Sequence, residues 1–211
     1  MQEQTEKIVN LLSRDRFEAC RYRGEDDECT LRRVVWNAAL SEALYSPLQG
    51  LEVGVRNSIH LAISNLYGGP DWILVPGSYL RPSEQDMMQD AIVQLGARGK
   101  LITPGCMISE LKFGFWTSLF DAHYDKLWHK IIKPVFPAMP NAIRTRGEIS
   151  RRINSVRHLR NAVSHHHSIW HWRDLKDRHS EIYLLLDWIE PEFGRFIRKQ
   201  DRFLDVLCAG P

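Results

Sequence analysis

The sequence predicts an all-α fold: a single helical domain of about seven helices spanning residues 1–211. Three observations predict it. Apolar residues recur at three- or four-residue steps, the spacing that puts them on one face of a helix. No segment alternates like a half-buried strand, and no βαβ rhythm is present. The hydrophobic content of 44% is enough to fill one core at this length.

Taken in order, residues 5–18 (TEKIVNLLSRDRFE) suit a short amphipathic helix, and GEDDE at 24–28 a charged connection, so 1–28 reads as a peripheral helix and its link. Trp36, Leu40, Leu44, Leu48, Leu51, Val55, Ile59 and Ala62 then form an apolar stripe. Pro47 interrupts it, losing one backbone hydrogen bond and crowding the preceding turn. Ser46-Pro47-Leu48-Gln49 also has the residues of a helix start, so either two helices or one kinked helix is expected, ending near Tyr67-Gly68-Gly69-Pro70. The segment DWILVPGSYLRP is too short and interrupted to need a sheet. Ser83, with Asp86 three residues later, is the expected cap of a helix on which Met88, Ala91, Ile92 and Leu95 share a face, and Gly96 and Gly99 end it. Thr103-Pro104 opens a run carrying Leu111, Phe115 and Phe120, and Trp128, Ile131 and Ile132 continue the apolar material up to Pro134. From about Thr145, Ile149, Ile153, Val156, Leu159 and Val163 mark a long helix. A last pair covers about 179–190 and 192–207, divided at Pro191.

The net charge is only +2, but it is unevenly spread. Between Ile143 and Arg178 nine Lys or Arg face three acids, a local +6, leaving −4 for the rest of the chain. Five of the nine histidines lie there too: His158, His165, His166, His167 and His171. A basic, histidine-rich segment in an otherwise acidic chain suits a polyanionic partner. The cysteines, Cys20, Cys29, Cys106 and Cys208, form no C-x-x-C pair and read as reduced thiols. Without a signal-peptide stretch or a membrane-length apolar run, the expected location is the cytoplasm, with no membrane association.

Chemistry concentrates in SVRHLRNAVSHHHSIWHW at 155–172. With Leu159 and Val163 turned to the core, Arg157, Arg160, Asn161 and Ser164 fall within about 100° of arc, and His165 stands one turn beyond Asn161. Arginine holds a phosphate through paired hydrogen bonds, and histidine exchanges a proton near neutral pH. Together they suit phosphodiester cleavage without a metal. A structural reading stands beside this one: basic residues at a helix end favour its dipole, and His165 is a local hydrogen-bonder. His167 and His171, four apart, allow a metal reading, but no H-E-x-x-H arrangement supports it, so no metal or other cofactor is expected. Of the seven tryptophans, Trp36 and Trp188 lie on core stripes, whereas Trp170 and Trp172 flank the histidines and are candidate base-stacking surfaces.

The run Arg160-Asn161-Ala162-Val163-Ser164-His165, followed by His166, matches an R-x(4–6)-H pattern. With the blocks WNAALSEALYSPLQGLEVGVRN at 36–57, ISELKFGFWTSLF at 108–120 and DWIEPEF at 187–193, the chain resembles the Abi-like (abortive-infection) proteins of the HEPN superfamily over about residues 12–205. The resemblance implies a HEPN-like all-helical domain, a homodimer whose two motifs face each other, and a metal-independent endoribonuclease acting in phage defence or with an antitoxin protein. It assigns catalysis to Arg160, His165 and Asn161. Arg157, Arg151, Arg152 and His166 would contact RNA, and Glu52, Arg56 and Asn57 match a supporting L-E-v-x-x-R-N segment, in which Glu52 and Arg56 are spaced for an ion pair or for a catalytic role. Related chains often continue H-H-E-P where this one has His165-His166-His167-Ser168, which removes an acid and a helix-ending proline. The alternative to an enzyme is a non-catalytic RNA- or nucleotide-binding module, or a dimeric interaction module.

Overall fold

A computed structural model describes residues 2–74 and 79–211. Part of the expected loop after Trp72 lies outside them. Among the described residues the regular structure is entirely helical, with eleven α-helices rather than about seven. The excess comes from short breaks inside runs that periodicity alone joins. The 5–18 run divides into α1 (Gln2–Leu12) and α2 (Arg14–Glu18) because Ser13 adopts φ 67° and turns its hydroxyl to accept from the Arg16 N–H. The 104–120 run divides into α5 (Pro104–Glu110) and α6 (Phe113–Ser118), since Leu111 and Lys112 are extended. The 192–207 run divides into α10 (Pro191–Arg198) and α11 (Phe203–Ala209).

Elsewhere the pattern prevails. The helix α3 runs unbroken from Asp27 to Tyr67 with Pro47 inside it, so the two-helix alternative is excluded. Leu40, Ala43, Leu44, Leu48, Leu51, Val55 and Ile59 are buried along it, and that continuous burial outweighs the roughly 3 kcal/mol an interior proline costs. It stops where Gly68 takes φ +82°, a left-handed conformation open to glycine at little cost. The helix α4 (Pro82–Ala97) starts one residue before the expected Ser83 cap: Arg81 is the flanking residue and Pro82 fills the first turn. The helices α7 (Asp125–Val135), α8 (Arg146–Ser164) and α9 (Leu175–Ile189) complete the set, and the Thr145 hydroxyl caps α8 through the Glu148 N–H.

The chain forms two compact units. The first comprises residues up to Gln49, Ser155–Tyr183 and Arg195–Pro211. Phe17, Leu40, Leu44, Leu159, Ile169, Ile182 and Phe203 are buried in it. A polar knot is buried there as well: Asp201 Oδ2 lies 2.6 Å from His179 Nε2 and accepts from the Tyr183 hydroxyl, while its Oδ1 accepts from the Phe203 N–H at 2.8 Å. Trp36, expected in the core, is half-buried and donates its indole N–H to the Val206 carbonyl.

The second unit comprises Gly50–Asn154 and Leu184–Gly194. Its aromatic core includes Phe120 stacked on Trp128 at 4.5 Å between centroids, with Trp116, Phe136 and Trp188 also buried. Glu84, at 1% exposure, is its buried carboxylate. It accepts from Arg81 and from the Tyr124 hydroxyl, both at 2.8 Å. Burial opposes ionisation of Glu84, but hydrogen bonds from Arg81, Tyr124 and Ser118 outweigh it and hold the carboxyl down at about 2. A carboxyl lowered by folding contributes stability that is complete above its unfolded value of 4.5 and is lost as pH falls towards 2. Glu84→Gln should therefore cost about 3 kcal/mol in urea unfolding at pH 7 and flatten the acid limb of the stability profile. Equal stability of the two proteins at pH 7 would contradict this.

Candidate functional site

The end of α8 builds the site in the first unit. Val156, Leu159, Ala162 and Val163 are buried, which turns Arg157, Asn161, Ser164 and His165 outward and leaves Arg160 half-buried at the edge of that face. The helix stops by a backbone device and not by a proline. The His167 N–H bonds the Ala162 carbonyl at 2.9 Å, and the His166 N–H bonds the Val163 carbonyl at 3.1 Å. These are the paired bonds of a Schellman ending, which places one residue in the left-handed region. That residue is His166, with φ 57°. The missing proline at 168 is thus of no consequence for where the helix ends.

A buried side chain of α3 fixes the segment that follows. The Asn37 carboxamide oxygen accepts from the Ile169 N–H at 2.8 Å and the Trp170 N–H at 3.1 Å, and its nitrogen donates to the His167 carbonyl at 3.4 Å. Ser168 Oγ lies 3.1 Å from Cys20 Sγ. The Trp170 indole N–H bonds the Ala19 carbonyl, and the Arg33 guanidinium lies over its ring at 4.6 Å. Trp172 stacks on His158 at 5.0 Å and also carries Arg178 at 4.9 Å. Both tryptophans are half-buried, and both already have ring partners within the protein.

His165, His166 and His167 are exposed, and the rings of His165 and His167 are 6.0 Å apart. His167 also borders an open cleft of about 1210 Å³. His166, Ser168 and His171 line it from the loop; Asn37, Glu42 and Tyr45 from α3; and Leu12, Asp15 and Arg16 from the N-terminal helices. Arg202 lines it too and pairs with Glu42 at 2.7 Å. The cleft walls hold Val163 but not the half-buried Arg160 or the exposed Asn161 and His165.

The structure therefore groups Arg157, Arg160, Asn161, His165 and His166 at one end of one helix in the first unit. The other five candidates belong to the second unit. Arg151 and Arg152 both bond Glu148, at 2.8 and 2.7 Å, and Arg152 lies over the Trp188 ring. Glu52 and Arg56 are half-buried on α3 and Asn57 is exposed; the Arg56 Nε is buried without a hydrogen-bond acceptor. Sequence reasoning missed Asn37, because nothing in its own neighbourhood signals a partner 130 residues away.

No known protein family matches the chain, and neither does any curated protein or solved structure. Among the described residues no group of three or more His, Cys, Asp or Glu is placed to hold a metal ion. No described helix is long and apolar enough to cross a membrane.

Two outcomes follow for the loop. Asn37→Ala leaves two backbone N–H groups without their acceptor and should destabilise the protein by about 1–3 kcal/mol in denaturant unfolding. An unchanged midpoint would show that the clamp carries no weight. His166→Gly removes the cost of a left-handed non-glycine residue, about 1–2 kcal/mol, against a smaller entropic loss, so stability should hold or rise by up to about 1 kcal/mol. A drop beyond 1 kcal/mol would contradict that conformation.

Proposed function

We propose that the protein is a metal-independent endoribonuclease of the Abi-like, HEPN type, a cytoplasmic homodimer that serves phage defence or a toxin–antitoxin pair. One observation carries the reading: Arg160 and His165 share an end of α8 whose backbone is fixed, with His165 exposed and its N–H bonded to the Asn161 carbonyl at 2.9 Å. The resemblance of the 160–165 run and the local +6 charge support it.

In this reading His165 exchanges a proton with the ribose 2′-hydroxyl or the leaving oxygen. The 2′-oxygen bonds phosphorus, the bond from phosphorus to the 5′-oxygen breaks, and the products are a 2′,3′-cyclic phosphate and a 5′-hydroxyl. Arg160 stabilises the charge that builds on the phosphorane oxygens. Asn161 positions the pair, and Arg157 and His166 meet neighbouring phosphates without reading bases. The need for a 2′-hydroxyl restricts cutting to RNA. Glu52, Arg56 and Asn57 support the fold of the family.

Purified protein in EDTA should cut mixed single-stranded RNAs. His165→Ala should slow this by about 10²–10⁴-fold and Arg160→Ala by about 10²–10³-fold. Salt-dependent binding without turnover would assign the non-catalytic module instead, and neither binding nor turnover would end the RNA reading altogether.

A further inference from the structure

We infer that His167 is the second acid–base group of this site, so that one chain carries both imidazoles needed to cut a phosphodiester. The inference rests on the endoribonuclease reading and deepens it. Cleavage by 2′-hydroxyl attack moves two protons, one off the nucleophile and one onto the leaving 5′-oxygen. A single imidazole can serve both only by turning between them, whereas two imidazoles on opposite sides of the phosphorus divide the task.

The histidine that replaces the family's acid is placed for this. Its ring lies 6.0 Å from that of His165, tilted by 35°, and both side chains are exposed. Two rings at that separation, with planes so little tilted, can both turn a nitrogen to oxygens of one phosphate lying alongside them, each through a hydrogen bond of about 2.8 Å. The backbone under both rings is held. The His165 N–H bonds the Asn161 carbonyl, the His167 N–H bonds the Ala162 carbonyl, and the His167 carbonyl accepts from the buried Asn37 side chain. Pre-organisation of this kind separates a reacting pair from two mobile surface histidines. His167 also lines the cleft, with Arg16 and His171 among its other walls, so one flank of a strand lying alongside the rings has a concave surface to enter.

The step balances within the pair. One neutral imidazole takes the 2′-hydroxyl proton as the bond from the 2′-oxygen to phosphorus forms. The other, protonated, gives its proton to the 5′-oxygen as the bond from phosphorus to that oxygen breaks. The pair ends with its proton exchanged and no net change, and solvent resets it.

The test compares the wild type, His165→Ala, His167→Ala and His167→Gln on a short RNA and on the same RNA with sulfur in place of the bridging 5′-oxygen at the scissile link. Thiolate leaves without a proton donor, so loss of the general acid is repaired on that substrate while loss of the general base is not. Both histidines are exposed, so folding is checked simply by an unchanged thermal midpoint. The expected result is a loss of about 100-fold or more on RNA for every variant. On the sulfur substrate, the variants at one of the two positions should recover to near wild-type rate and those at the other should not. Cleavage of RNA by both His167 variants at the wild-type rate overturns the inference while leaving the endoribonuclease reading in place. Recovery at both positions or at neither also overturns it. Absence of cleavage by the wild type overturns the endoribonuclease reading itself.

Discussion

The first unit depends on one buried amide. Asn37 sits on α3, at 8% exposure, and its carboxamide takes on the polar groups of the chain turn that follows α8. The segment leaving α8 carries backbone N–H groups at Ile169 and Trp170 into the interior, and Ile169 is itself fully buried. Unpaired, each would cost what a buried donor costs on losing water. A single oxygen with two lone pairs accepts both, and the amide nitrogen of the same side chain reaches back to the His167 carbonyl. An aspartate could accept those two bonds but could not donate the third. A leucine of similar size could do neither.

That clamp and the Schellman ending act on adjacent residues. The first bond after the helix fixes His165, the next two turn the chain at His166, and Asn37 receives it at His167. Three consecutive histidines thus have distinct backbone settings: one continues the helix, one is left-handed and one is bridged to α3. Equal spacing in sequence does not give equal roles. The cleft lies on the side of His166 and His167, while Asn161 and His165 point away from Val163 and Arg160 lies half-buried between the two faces.

Most of the fold was legible because burial is periodic. The stripes that predict α3, α4 and α8 are buried except at Trp36 and Ile92, which are half-buried, and Thr145 and Thr103 cap helices as their hydroxyls suggest. Boundaries failed where a local conformation competes with the pattern. Ser13 breaks a plausible amphipathic run because its own hydroxyl can start a new helix, and nothing in TEKIVNLLSRDRFE marks that choice. Pro47 left two readings open, and the single helix prevails, since a local penalty of a few kcal/mol is outweighed by apolar residues extending on both sides of it. The site divides in the same way. Arg157, Arg160, Asn161 and His165 were readable because one helix orders them by 100° steps. The reach of Asn37 to the 167–170 turn was not, because it depends on packing between segments far apart in sequence.

The most direct measurement is NMR of the histidine imidazoles during titration with a short RNA carrying 2′-O-methyl groups, which binds but lacks the nucleophile for cleavage. If the end of α8 is the site, the His165 and His167 resonances move together at one saturating RNA concentration, while that of His129, in the second unit, stays in place. Shifts that leave His165 and His167 unmoved while RNA is bound elsewhere would contradict the account.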